Sequence, residues 1–82
     1  MSDISKFINI GFTNIMSADK IVSIISPESA PAKRLVQNYK ENLKVVDVTH
    51  GRKTRAIIIT NSGFIILSAL QPETILQRIN NK

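Results

Sequence analysis

Three cations fall within four positions at Arg52-Lys53-Thr54-Arg55, directly after His50-Gly51, and they form the densest charged feature of the chain. Arginine can fork two phosphate oxygens with its planar donors, and lysine adds a compact point charge. A glycine beside them permits close backbone approach, and the Thr54 hydroxyl adds a further contact to a phosphate backbone. The chemistry this combination serves is phosphate recognition. The competing explanation is a solvated loop that keeps the chain in solution. Lys20, on another connection, and the Lys33-Arg34 pair are further cationic candidates, the pair reading more simply as helix-surface charge.

Catalytic chemistry is poorly provisioned. His50 is the single histidine, and no serine stands in a Gly-x-Ser-x-Gly turn. The six carboxylates are scattered; only Asp47 lies mid-strand, and a lone carboxylate there reads as a satisfied polar residue rather than a base. The three glycines, at 11, 51 and 63, are too far apart for a phosphate-cradling loop. There is no cysteine, so disulfides, thiolate zinc sites and thiol nucleophiles are excluded. The expectation is a non-enzyme without metal, cofactor or small-molecule substrate. His50 itself reads as a residue that shapes its turn or packs on a neighbouring loop, or as a phosphate partner when protonated.

The frame is consistent with this. Eighty-two residues make one domain, 43% of them hydrophobic and 21% charged, which is globular composition. Eleven basic against six acidic residues leave a net charge of +5 and a pI near 10.0, so a polyanion is the first partner to test. Asp3, Lys6, Asn9, Asn14 and Asp19 interrupt the first twenty positions, so no signal peptide is bounded there. The apolar runs Ala56 to Ile59 and Phe64 to Leu67 fall far short of the ~18 residues of a membrane span. A cytoplasmic location, away from membranes, is expected.

Periodicity supplies the elements that position the basic segment. Phe7 to Phe12 alternates as a strand, with Ile8, Ile10 and Phe12 on one side and Gly11 marking a bulge or bend. A turn around Ser17-Ala18-Asp19 leads into a second strand, Lys20 to Ile25. Ser26-Pro27-Glu28-Ser29-Ala30-Pro31 is a helix entry, capped either by Ser26 or by Ser29. From there Ala32, Leu35, Val36, Tyr39 and Leu43 define one helical face. Val45 to Thr49 is a strand, His50 to Thr54 a hairpin connection, and Arg55 to Thr60 the next strand. Asn61-Ser62-Gly63 then turns into a last strand, Phe64 to Ala69. Pro72-Glu73-Thr74 opens a short helix with Ile75, Leu76 and Ile79 inward. The fold class is α+β: a small two-layer domain with a largely antiparallel β-sheet and two helices on one face.

Ala56 to Ile59 and Phe64 to Leu67 are apolar at every position, so both faces of the central hairpin want burial. With both helices on one face, the simplest cover for the other is a second copy, which predicts a homo-oligomer. The alternative is a terminal helix that wraps across the second face. Symmetry would repeat the basic loop and strengthen polyanion binding. Three Phe and one Tyr, all at core-like positions, offer no stacking platform for single strands, so backbone-dominated binding of duplex DNA fits best. An RNA-binding module and a structural oligomer contacting an acidic protein are the alternatives.

Four segments carry a resemblance: Asn9-Ile10-Gly11-Phe12; Ile24-x-Ser26-Pro27-Glu28-Ser29-Ala30-Pro31-x-Lys33-Arg34; Gly51-Arg52-x-Thr54-Arg55-Ala56; and Leu67-Ser68-Ala69-x-Gln71-Pro72-Glu73-Thr74. From about Phe7 to Arg78 the chain resembles the bacterial extracellular matrix regulatory protein A (RemA) family. The resemblance implies a DNA-binding transcriptional regulator of biofilm matrix genes, assembled as a homo-oligomeric ring that presents repeated basic loops. It further implies that Arg52, Lys53 and Arg55 form the DNA-binding loop, that Lys20 is a second contact, and that Pro31 serves helix placement and assembly. The family pattern carries arginine where this chain has Lys20 and Lys53, which keeps charge but loses the bidentate fork. It commonly carries tyrosine where this chain has His50.

Overall fold

The computed structural model describes residues 6–81; Asp3 lies outside them. In chain order the elements are β1 (Phe7–Gly11), β2 (Asn14–Ser17), a 3-10 turn (Ala18–Lys20), β3 (Ile21–Ile25), α1 (Ala30–Glu41), β4 (Val45–Asp47), β5 (Ala56–Thr60), β6 (Ile65–Ser68) and α2 (Pro72–Asn80). β1 and β2 form their own antiparallel hairpin, and the other strands form a sheet in the order β3-β5-β6-β4. β5 pairs antiparallel with both β3 and β6, whereas β4 runs parallel to β6, with Val45 opposite Ile65 and Asp47 opposite Leu67.

The helices lie on opposite faces of this sheet, not on one. Ile57, Ile65 and Leu67 point to one side, where α1 covers them with Ala32, Val36 and Tyr39. Ala56 and Ile58 point to the other, where Ile75 and Ile79 of α2 and Ile8 and Ile10 of β1 close over them. The architecture is therefore three layers, with a mixed central sheet. The physical reason is the two-sided apolar character of β5 and β6 itself. Strands buried on both faces need two covers, and the chain supplies both once β1 leaves the main sheet to join α2. Ile57, Ile58, Ile65 and Ile75 are wholly buried, each stabilising the fold by roughly 1.5–3 kcal/mol. A second copy is not needed to cover the sheet, so that ground for self-association falls away.

Local chemistry sets the element ends. Ser29, not Ser26, caps α1: its hydroxyl accepts from the Ala32 amide at 3.2 Å, which leaves Pro31 in the first turn, where its missing N–H costs nothing. At the other end the Leu43 amide donates to the Lys40 carbonyl at 3.0 Å and the Lys44 amide to the Tyr39 carbonyl at 2.8 Å, a Schellman closure. Leu43 holds the left-handed position of that motif (φ 57) and is 86% exposed, so it is not the last residue of the buried helical face. β2 occupies residues to which periodicity assigned no element, because the chain reverses at Phe12-Thr13, where the first strand was expected to continue to Phe12. Ser68, wholly buried, ties the layers together: its hydroxyl donates to the Ile10 carbonyl at 2.6 Å and accepts from the Leu70 amide at 3.1 Å.

Candidate nucleic-acid interface

Because β4 and β5 do not pair, residues 48–55 form a crossover that passes over the end of β6 rather than a hairpin turn. The crossover is anchored on both sides to that strand. The Val48 amide donates to the Leu67 carbonyl at 2.9 Å, and the Arg55 amide donates to the Ser68 carbonyl at 2.8 Å. Just inside the first anchor, Asp47 accepts from the Thr49 hydroxyl at 2.7 Å and from the Thr49 amide at 2.8 Å. These two bonds, the hydroxyl first, hold the Asp47 carboxyl below its ordinary value, helped by the Lys40 charge and opposed by slight burial. Thr49 itself is buried.

Between the anchors the Arg52 amide donates to the Thr49 carbonyl at 3.0 Å, closing a tight turn with His50 (φ 59) and Gly51 (φ 81) at its centre. Two consecutive positive φ angles are what a type I′ turn demands, and Gly51 meets that demand without strain. His50 meets it at a cost of about 1–2 kcal/mol. The turn lifts Arg52 and Lys53 away from the sheet; both are exposed, as is Arg55.

A second turn stands against this one. Phe12 and Thr13 form the two-residue tip between β1 and β2, with Gly11 opposite Asn14. Gly11 (φ 138) is buried there, and a Cβ on it would lie 3.4 Å from the Val48 carbonyl oxygen. Phe12 (φ 56) is 41% exposed; its ring centroid lies 4.5 Å from that of His50 at 48°, and the Arg52 guanidinium carbon lies 5.2 Å from the Phe12 centroid. Expecting every aromatic in the core was therefore wrong: Phe12 belongs to the basic surface, and Phe7 and Phe64 are exposed too. The signal was the run Asn9-Ile10-Gly11-Phe12-Thr13-Asn14, whose flanking Asn and Gly are turn residues. His50 does pack on a neighbouring loop.

On the α1 side, Lys33 and Lys53 flank a shallow groove with Pro27, Glu28 and Thr54, so Lys33 joins the basic surface from the helix. Lys20 does not. It ends the 3-10 turn, and its carbonyl accepts from the Asn61 amide at 3.0 Å, beyond the far end of β5. The run of β5 separates the two regions by roughly 20 Å at about 3.3 Å per residue. At the same end of the sheet but on its opposite edge, beside β4, stands Lys44, whose Nζ lies 5.0 Å from the Phe64 centroid. Within one chain Arg52, Lys53 and Arg55 thus share one crossover, Arg52 beside Phe12 and Lys53 beside Lys33, and Lys20 lies apart.

Among the described residues no three His, Cys, Asp or Glu side chains converge as metal ligands would, and no helix is long and apolar enough to cross a membrane. Comparison with known proteins places this surface in context. A family model described as extracellular matrix regulatory protein A-like matches residues 7–79. A relative from Acetivibrio thermocellus is 60% identical over 94% of this chain and 83% of its own length, and one from Alkaliphilus metalliredigens is 58% identical over the same shares. One from Brevibacillus brevis is 57% identical over 94% of this chain and 90% of its own. The Acetivibrio and Alkaliphilus proteins bear the name "Putative regulatory protein". With the match spanning both anchored turns and both helices, the chain belongs to the RemA-like family.

Proposed function

We propose that this protein is a transcriptional regulator that binds the phosphates of duplex DNA through its basic crossover, repeated around a homo-oligomer, with genes for extracellular matrix components as its targets. The observation that carries the reading is the fixed crossover: three exposed cations within four residues, anchored at both ends to β6. Pinned cations lose less freedom on meeting a phosphate than cations on a loose loop do. Membership of the family and the names of the relatives support the regulatory part.

Self-association is supported by the two open sheet edges rather than by the sheet faces. At the β3 edge Val22 and, across a groove, Leu76 of α2 are exposed; at the β4 edge Leu43, Val46 and Phe64 are. Unpaired edges carrying apolar side chains invite pairing, and a contact between two different edges of identical copies is heterologous, the type that closes into rings.

Fluorescence anisotropy on a labelled duplex, from roughly 50 to 200 mM salt, tests the reading, because released counterions set the slope. Affinity that falls steeply with salt is expected, together with an oligomeric mass by light scattering. Absence of binding at the lowest salt would overturn the DNA reading. Tighter binding to a single strand would move the partner to RNA.

A further inference from the structure

We propose that Phe12 is a positioning residue of the basic surface: its ring holds the Arg52 guanidinium ready for a phosphate, so that Arg52 acts as the leading contact. The inference rests on the reading of the crossover as a phosphate-binding loop and adds a hierarchy within it. The Arg52 guanidinium carbon lies 5.2 Å from the Phe12 ring centroid, over the ring, and the His50 ring meets the same ring at 4.5 Å, tilted by 48°. A guanidinium laid on an aromatic face keeps its in-plane N–H donors turned outward, which are the ones that fork phosphate oxygens.

The position of the ring is itself determined. Phe12 holds a left-handed backbone (φ 56), a conformation that a bulky residue keeps only where its surroundings fix it. Here Asn9 fixes it: its amide nitrogen donates to the Phe12 carbonyl at 2.6 Å while its oxygen accepts from the Gly11 amide at 2.8 Å. Asn9 is in turn held by α2, whose Arg78 donates to the Asn9 backbone and side-chain oxygens, both at 3.0 Å. Asn14 completes the turn, donating to the Gly11 carbonyl at 3.1 Å. A path of direct contacts thus runs from Arg78 through Asn9 and Phe12 to Arg52.

The test is a double-substitution cycle read by duplex affinity at one salt concentration. Phe12→Leu should weaken binding about three- to fivefold, the scale of an exposed cation–ring contact, and Phe12→Tyr should restore it. In an Arg52→Ala background Phe12→Leu should change nothing further. Full affinity in Phe12→Leu, or losses that multiply with those of Arg52→Ala, would overturn the assignment. NMR supplies a readout that needs no DNA: the Arg52 side-chain protons should be shifted upfield by the ring in the wild-type protein and return to ordinary positions in Phe12→Leu. Unshifted Arg52 protons in the wild type would overturn the proposal. If the wild type binds no duplex, the DNA reading fails while this shift still decides whether the ring holds Arg52.

Discussion

The two ends of the central sheet each carry a cation over an aromatic ring, yet they are built for different demands. At one end Arg52 lies over Phe12, and both residues sit on turns with left-handed backbones. At the other Lys44 lies over Phe64 beside an ordinary hairpin, where the Thr60 hydroxyl donates to the Phe64 carbonyl at 2.7 Å. The first end carries three cations of the crossover, with Lys33, around the left-handed Phe12 and His50; the second carries Lys44 beside left-handed Leu43, which closes α1, and Lys20 on the opposite sheet edge. Left-handed non-glycine residues stand at both ends, but only at the first do their own side chains, Phe12 and His50, meet each other and the cation, which marks where geometry matters beyond charge. A planar guanidinium has an orientation to preserve, and an ammonium does not.

Substitutions can break this contrast. The largest effect is expected from Arg52→Ala with Lys53→Ala, which should cost at least about a hundredfold in duplex affinity at about 1.5–3 kcal/mol per charged contact. The salt slope should fall by about one per lost phosphate contact, and the oligomeric mass should stay unchanged. Lys20→Ala with Lys44→Ala, measured in parallel, should cost far less. Equal losses at both ends would abolish the distinction and make charge alone the determinant.

Next in size is the anchor of the crossover. Asp47→Ala orphans the amide and hydroxyl of buried Thr49 and should lower stability by about 1–2 kcal/mol in urea unfolding. The same carboxylate gives a pH signature. Its folded pKa lies below 3.8, so its contribution is complete above that value and is lost as pH falls through the lower folded value. Asp47→Asn should flatten the acid limb of the stability profile, and an unchanged limb would remove Asp47 as an anchor. The smallest effect belongs to the Phe64 end: Lys44→Ala should change stability by no more than about 0.5–1 kcal/mol, the worth of an exposed cation–ring contact.

Much of this was legible in the residues. The Ser-Pro-Glu-Ser-Ala-Pro entry and the spacing of Ala32, Leu35, Val36 and Tyr39 place α1, and the clustering of Arg52, Lys53 and Arg55 marks the basic loop. Periodicity, however, reports which residues share a face of an element and is silent on which side of a sheet that element takes. The opposite placement of α1 and α2 follows from tertiary cover for Ile57 and Ile58, which point in opposite directions. The parallel pairing of β4 with β6 is likewise non-local, and it turned an expected hairpin into a crossover. Leu43 has the right spacing for the α1 face, but the helix ends two residues before it. Phe12 looked like a core residue because hydrophobicity alone does not distinguish a ring that packs inward from one that carries a cation.

The contacts that hold α2 also set a folding order. Lys6 reaches the carbonyls of Ile79 and Asn81 at the end of that helix, and Arg78 reaches Asn9, linking residues 69 to 75 positions apart. Contacts of such sequence separation close late, because the loop entropy must be met before they form. On the ribosome, the α1 side of β5 and β6 can be covered as soon as β6 emerges. The opposite side has only β1 to cover it until α2 emerges with Ile75 and Ile79, so its cover is completed last. The hairpin that carries Phe12, made first, is among the last parts to be locked in place.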